Sequence, residues 1–159
     1  GDRSGIPDVI EEIKSRIGID VPIYVYIAKD ENNCSATIIE NGKRAIIADH
    51  LFLNKVDKDA GTKWAAISII AHEVGHHIAG FSRRATSQEG ELDADYWSGY
   101  ILYKLGAGRE ASVKCIMFYG TEYDSGSHPN KYARAEAIRT GWNDGSKGDF
   151  DKDRCESCD

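Results

Sequence analysis

The stretch WAAISIIAHEVGHHIAG, Trp64 to Gly80, decides how the rest of the chain is read. Ala66, Ile69, Ile70, Val74 and Ile78 recur at helical spacing. Thr62 suits an N-cap and Gly80 a stop, so the spacing predicts a helix to about Ala79. On that helix His72 and His76 are four residues apart, which puts them about 40° apart on one face. Two imidazoles so placed can grip one metal ion. Glu73 lies about 100° from His72 and about 60° from His76, close to the ion but poorly placed to ligate it. It suits a base that takes a proton from a metal-bound water. Zinc supplies the other half of such chemistry, lowering the pKa of that water to about 7 and polarising the carbonyl under attack.

The surrounding composition is that of an ordinary globular domain. The chain has 159 residues, within the roughly 100–200 that one core serves. Hydrophobic residues make up 41 % and charged residues 29 %, which excludes collagen-like and wholly disordered classes. A net charge of −6 argues against nucleic acid as a partner, since phosphate neutralisation wants clustered Lys and Arg. No apolar run approaches the roughly 20 residues of a membrane span. The longest, Trp64 to Ile70, is interrupted by Ser68. Four cysteines, Cys34, Cys115, Cys155 and Cys158, are too few for a disulfide scaffold. Cys155 and Cys158 read as a tail disulfide or two inert thiols. Asp149-Phe-Asp151-Lys-Asp153 lacks the Gly and the closing Glu of a calcium-binding loop.

Outward from the central helix, Pro7 to Ile17 reads as an amphipathic helix stopped by Gly18. Val21 to Ala28, Ala36 to Glu40 and Arg44 to Ala48 read as strands, the last two joined by Asn41-Gly42, a strong hairpin signal. Asp49 to Gly61 reads as a loop and 82–90 as a polar connection. Thr86 to Glu89 has the form of a capping box for a helix carrying Glu91 to Leu105. Arg109 to Tyr119 reads as a further helix. Pro129 suits the first turn of another, Asn130 to Arg139, closed by Gly141. The expected class is α+β: a small antiparallel sheet followed by a mainly helical zincin-like domain over residues 1–142. Residues 143–159 read as an acidic, loosely attached tail.

The third ligand is open on spacing alone. The metzincin extension needs Gly and His where this chain has Ala79 and Ser82, so that branch is rejected. A carboxylate from the next helix is the other common solution, with Glu89, Glu91, Asp93 and Asp95 as candidates. Glu91 and Asp95 share one helix face. If Glu91 ligates, Asp95 sits one turn later, where it can accept a ring N–H from a ligating histidine and fix its tautomer.

His72-Glu73-x-x-His76, Glu91-x-x-Ala94-Asp95 and His128-Pro129-x-x-x-x-Arg134 together resemble the M48 peptidases, gluzincins that include the CAAX prenyl protease and HtpX types. The likeness covers about Ile23 to Trp142, and the chain resembles a minimal soluble catalytic domain of that family. It implies zinc on His72, His76 and Glu91, with Glu73 as base. It also implies that the strand before the central helix, here Arg44, Ala45, Ile46, Ile47 and Ala48, forms an exposed upper rim that binds extended peptide by main-chain pairing. His128 and Arg134 match its C-terminal motif, where one of them stabilises the oxyanion or pairs with Asp95. Tyr119 and Tyr123 are further oxyanion candidates. His77 points about 100° away from His76 and reads as non-ligating. His50 reads as structural.

The expected activity is zinc-dependent hydrolysis of peptide bonds in a peptide or protein substrate, with an endopeptidase favoured because nothing marks a pocket for a chain terminus. Two alternatives remain at this point: a zinc-binding module without turnover, or a latent enzyme whose cleft is filled by the N-terminal helix or the tail. The start at Gly1 rather than Met points to a processed chain and, with the family likeness, to a secreted or cell-envelope location.

Overall fold

The computed structural model describes residues 5–81, 87–156 and 158. It is α+β. Helix α1 (Ile6–Ile17) is followed by strands β1 (Ile23–Ala28), β2 (Cys34–Ile39) and β3 (Lys43–Asp49). Helices α2 (His50–Ala60), α3 (Ala65–Ala79), α4 (Gln88–Lys104), α5 (Lys114–Tyr119) and α6 (Lys131–Lys147) complete the domain. One face of the sheet, α1 and α3 share a core built from Ile6, Ile10, Ile13, Ile46, Ile70 and Val74. No helix among the described residues is long and apolar enough to cross a membrane.

The sheet is mixed rather than wholly antiparallel. Strands β2 and β3 form the expected hairpin, and Asn41 (φ 62°) and Gly42 (φ 71°) take the left-handed conformations that its tight turn requires. Strand β1 runs parallel to β3 on the other side, giving the order β1-β3-β2. Arg44 to Ala48 is therefore the central strand, paired on both sides, and cannot be the exposed rim. Local sequence reads strands well, but their lateral order depends on a long-range joint.

Asp49 makes that joint. Its Oδ2 accepts the amides of Glu31 and Asn32 at 3.1 Å, fixing the β1–β2 crossing. Its Oδ1 accepts the amides of Leu51 and Phe52 and so caps α2. The stretch expected as a loop is thus a helix, begun by Asp49, carrying buried Leu53 and Val56, and stopped by Gly61 at φ 72°.

Helices α4 and α6 meet backbone to backbone. A Cβ on Gly99 would overlap the Ile138 carbonyl, and one on Gly141 the Tyr96 carbonyl. Gly141 is therefore a contact residue, and α6 runs on to Gly148, which closes it at φ 72°. The segment beyond is not loose. Tyr96 Oη donates to Asp144 and accepts the Asp151 amide, Trp97 Nε1 donates to the Arg154 carbonyl at 2.6 Å, and Arg154 pairs with Asp93 at 2.9 Å. A Cys155–Cys158 disulfide closes this strap, with Cys155 packed against Tyr96 and Trp97.

The amide of Asn32, with those of Phe52, Glu31 and Leu51, holds the Asp49 carboxyl below its ordinary value of 3.8 despite burial. A folded pKa below the unfolded one gives stability that is present above the unfolded value and lost as pH falls through the folded one. Asp49→Ala is therefore expected to lower the thermal midpoint at neutral pH by roughly 2–4 °C. The gap between wild type and variant should narrow as the pH falls below 3.8. Melting curves across pH 2–7 check both the loss and its sign.

Candidate metal centre

Helix α3 is anchored at its start by α2 and the preceding turn. Asp57 Oδ1 accepts the Ala66 amide at 2.8 Å, and Thr62 Oγ1 accepts that of Trp64 at 3.2 Å. Thr62 thus holds the entry, one turn ahead of the first helical residue. Midway along, Gly75 lets α4 come close, since a Cβ there would lie 2.6 Å from the Ala94 carbonyl oxygen. Gly75 is thus a spacing device, and a glycine inside a helical pattern is the one sequence signal for it. Ser87 Oγ caps α4 by accepting the Gly90 amide. Thr86 lies outside the described residues.

This close approach delivers Glu91. Its two oxygens face the Nε2 atoms of both histidines, Oε1 at 2.9 Å from His76 and Oε2 at 3.5 Å from His72. Asp95 stands one turn further along α4, and His72 Nδ1 donates to its Oδ1 at 2.9 Å. Arg134 on α6 donates to the same carboxylate through Nε at 2.8 Å and Nη2 at 3.1 Å, and stands 3.6 Å from Glu91. Asp93, by contrast, faces the C-terminal strap.

Two imidazoles and one carboxylate converging through Nε2, Nε2 and Oε form a donor set that suits zinc. His72, Glu73 and His76 also fall into one compact group able to hold a metal ion. Because Asp95 accepts the hydrogen bond from His72 Nδ1–H, the Nε2 side is the one turned toward Glu91.

The electrostatics follow from this crowding. Burial opposes charge on His72, but the Asp95 carboxylate and the hydrogen bonds to Asp95 and Glu91 outweigh it, holding the imidazole up at about 10. Burial also opposes charge on Glu91, yet its contacts with His72 and His76 hold its carboxyl well below the usual range. Glu73 is only 7 % exposed, and burial pushes its pKa up against the pull of His72 and His76. The Ala36 amide of β2 faces this carboxylate and pulls its pKa down, against the effect of burial.

Strand β2 is the sheet edge at the site. Cys34, Ser35, Ala36 and Thr37 line a groove together with His72, Glu73, His76 and Phe81. The exposed edge expected at Arg44–Ala48 lies instead on β2, one strand earlier, in residues the sequence did not single out. His128, held in a tight turn by paired backbone hydrogen bonds with Ser125, lines this groove and the adjoining cavity. Tyr119 lines only that cavity, and Tyr123 is 84 % exposed and lines neither. His77 turns to the sheet, donating from Nε2 to the Ala45 carbonyl at 2.9 Å, and burial lowers its pKa to about 4. His50 opens α2 and lines neither the groove nor the cavity.

No family model, curated protein or solved structure matches the chain.

Arg134 neutralises two carboxylates and orients one of them on His72. Arg134→Met is therefore expected to weaken any binding of added zinc at His72, His76 and Glu91 by about 10- to 100-fold. Competition against a chromophoric chelator measures this, with circular dichroism as the control for folding.

Proposed function

We propose that this chain is a zinc-dependent peptidase of the M48-like gluzincin type, acting on internal bonds of peptide or protein substrates. The observation that carries the reading is that Glu91 of α4 faces the Nε2 atoms of both His72 and His76 while Glu73 lies buried on the same helix turn. His72, His76 and Glu91 would hold the ion. When bound, zinc acidifies water and polarises the scissile carbonyl, which makes attack at neutral pH feasible.

The remaining work falls to the chain's own groups. Glu73 accepts the proton of the attacking water and returns it to the leaving amine. Its raised pKa suits both transfers, because a base poised nearer neutrality accepts and releases a proton with less loss in either step. Strand β2 offers its free edge to an extended substrate backbone, which places the scissile carbonyl over His72 and Glu73. His128 faces the groove and is the group assigned to the developing oxyanion. Arg134 is spent on Asp95 and acts by positioning.

The two cavities at the site are lined, among the described residues, by none before Asn32 and none after Ile138. The C-terminal strap packs instead on α4 and the end of α3, so neither it nor α1 supports self-inhibition by cleft filling.

Glu73→Gln keeps the shape of the side chain and removes the base. The expected result is unchanged zinc stoichiometry with peptide hydrolysis reduced about 10²- to 10⁴-fold. Wild type that binds zinc yet cleaves nothing in a broad peptide library would sink the peptidase reading and favour a binding module. Equal cleavage by wild type and variant would remove Glu73 from its role.

A further inference from the structure

The Cys155–Cys158 disulfide has no place in the catalytic reading, yet it lies against the end of the helix that carries His72 and His76. Cys155 is buried against Tyr96 and Trp97, and Cys158, Ile78 and Ala79 pack on the same cluster. Glu156, between the two cysteines, turns back on α3. Its amide donates to the Ile78 carbonyl at 3.4 Å. Its carboxylate occupies the space that a Cβ on Gly80 would fill. Gly80 is buried, at φ 95°, where a side chain would be strained. Its amide closes α3 by donating to the His76 carbonyl at 2.9 Å. Phe81 comes next, with its ring stacked on His76 at 6.2 Å between centroids and tilted on His77 at 5.1 Å. Phe81 lines the groove, so a contact chain runs from the disulfide through Glu156 and Gly80 to a groove wall.

We propose that Cys155–Cys158 is a thiol–disulfide exchange site for a dithiol reductant, and that opening it releases Glu156 from the end of α3 and frees Phe81 from His76. The two cysteines are only three apart in sequence. Cross-linking residues so close removes little entropy from the unfolded chain, so the bond adds little to the stability of the whole domain. Its restraint is local: it fixes the turn that carries Glu156. The rest of the strap has other holds. Arg154 pairs with Asp93, its guanidinium lies 5.1 Å from the Tyr96 ring centroid, and its carbonyl accepts from Trp97 Nε1. Release therefore stops at Arg154, and the block of α3, α4 and α6 is untouched.

Attack enters at Cys158, which is half-buried, whereas Cys155 is only 6 % exposed. A reductant thiolate bonds to Cys158 Sγ, the bond to Cys155 breaks, and Cys155 leaves as a thiolate that takes up a proton. The second thiol of the reductant then displaces Cys158 from the mixed disulfide. Two electrons pass to the protein, the two thiol protons of the reductant are balanced by those gained at Cys155 and Cys158, and the reductant leaves as its own disulfide. The other cysteines do not compete. Cys34 and Cys115 are free thiols, and burial pushes both pKa values up, that of Cys115 to about 12, so they stay protonated and slow.

The test uses the full chain, free of metal, before and after treatment with excess dithiothreitol. Alkylation and peptide mapping should find Cys155 and Cys158 modified without denaturant. Amide exchange at Glu156 and Gly80 should quicken by at least about tenfold, and the Phe81 ring resonances should shift. The Asp151 amide, which donates to Tyr96 Oη at 2.8 Å, should keep its protection. Cys158→Ala should show the reduced pattern without reductant and not respond to it. Wild type compared with itself across reduction needs no variant, so the test does not depend on how Cys158→Ala folds. Cysteines that stay unmodified until denaturant is added overturn the proposal, as do Glu156, Gly80 and Phe81 signals that ignore reduction. Loss of protection at Asp151 and along α4 also overturns it, because the bond would then be a staple of the whole domain.

Discussion

The structure depends on how one buried carboxylate is satisfied. Asp95 is 2 % exposed, and a carboxylate there is tolerable only if its oxygens are fully engaged. Oδ1 accepts the hydrogen bond from His72 Nδ1–H on α3, and Arg134 of α6 closes a two-pronged contact on both oxygens. Three helices are thereby tied at one point. The same contacts choose the tautomer of His72 and turn its Nε2 toward Glu91. Arg134 also answers a second problem, because Glu91 and Asp95 lie four apart on one helix and would repel each other without a cation between them.

A parallel argument holds on the sheet side. Asp49 satisfies two amides of the β1–β2 crossing and two of α2. Holding that crossing at the end of the sheet leaves the middle position for β3, and β2 falls to the edge facing α3. The amide of Ala36 then faces Glu73. The candidate base is therefore positioned from two directions, by its own helix and by a strand whose place is set elsewhere.

What the sequence made legible was whatever is encoded within a few turns. The helical spacing of His72, Glu73 and His76, the pairing of Glu91 with Asp95 on one face and the Asn41-Gly42 turn all reappear in the structure. All the failures but one concern contacts distant in sequence. Arg44–Ala48 reads as a strand correctly, but nothing local says whether a strand is central or at an edge. Gly141 reads as a helix stop because glycine commonly is one, whereas here it is where another helix backbone presses. The polar end of the chain reads as a tail because its partners, Tyr96, Trp97 and Asp93, lie 55 to 61 residues earlier. Helix α2 was within reach: Asp49 before it, Leu53 and Val56 at helical spacing, and Gly61 after it are ordinary signals.

The glycines at 75, 99 and 141 carry a mechanical consequence. Where side chains interdigitate, two helices can slide as rotamers readjust. Where carbonyls meet glycine Cα atoms, no rotamer exists to yield. Helices α3, α4 and α6 therefore behave as one stiff block, and His72, His76, Glu91 and Arg134 travel together. Any widening of the cleft has to come from the opposite wall: the start of β2, the first turn of α2 and the short helix α5.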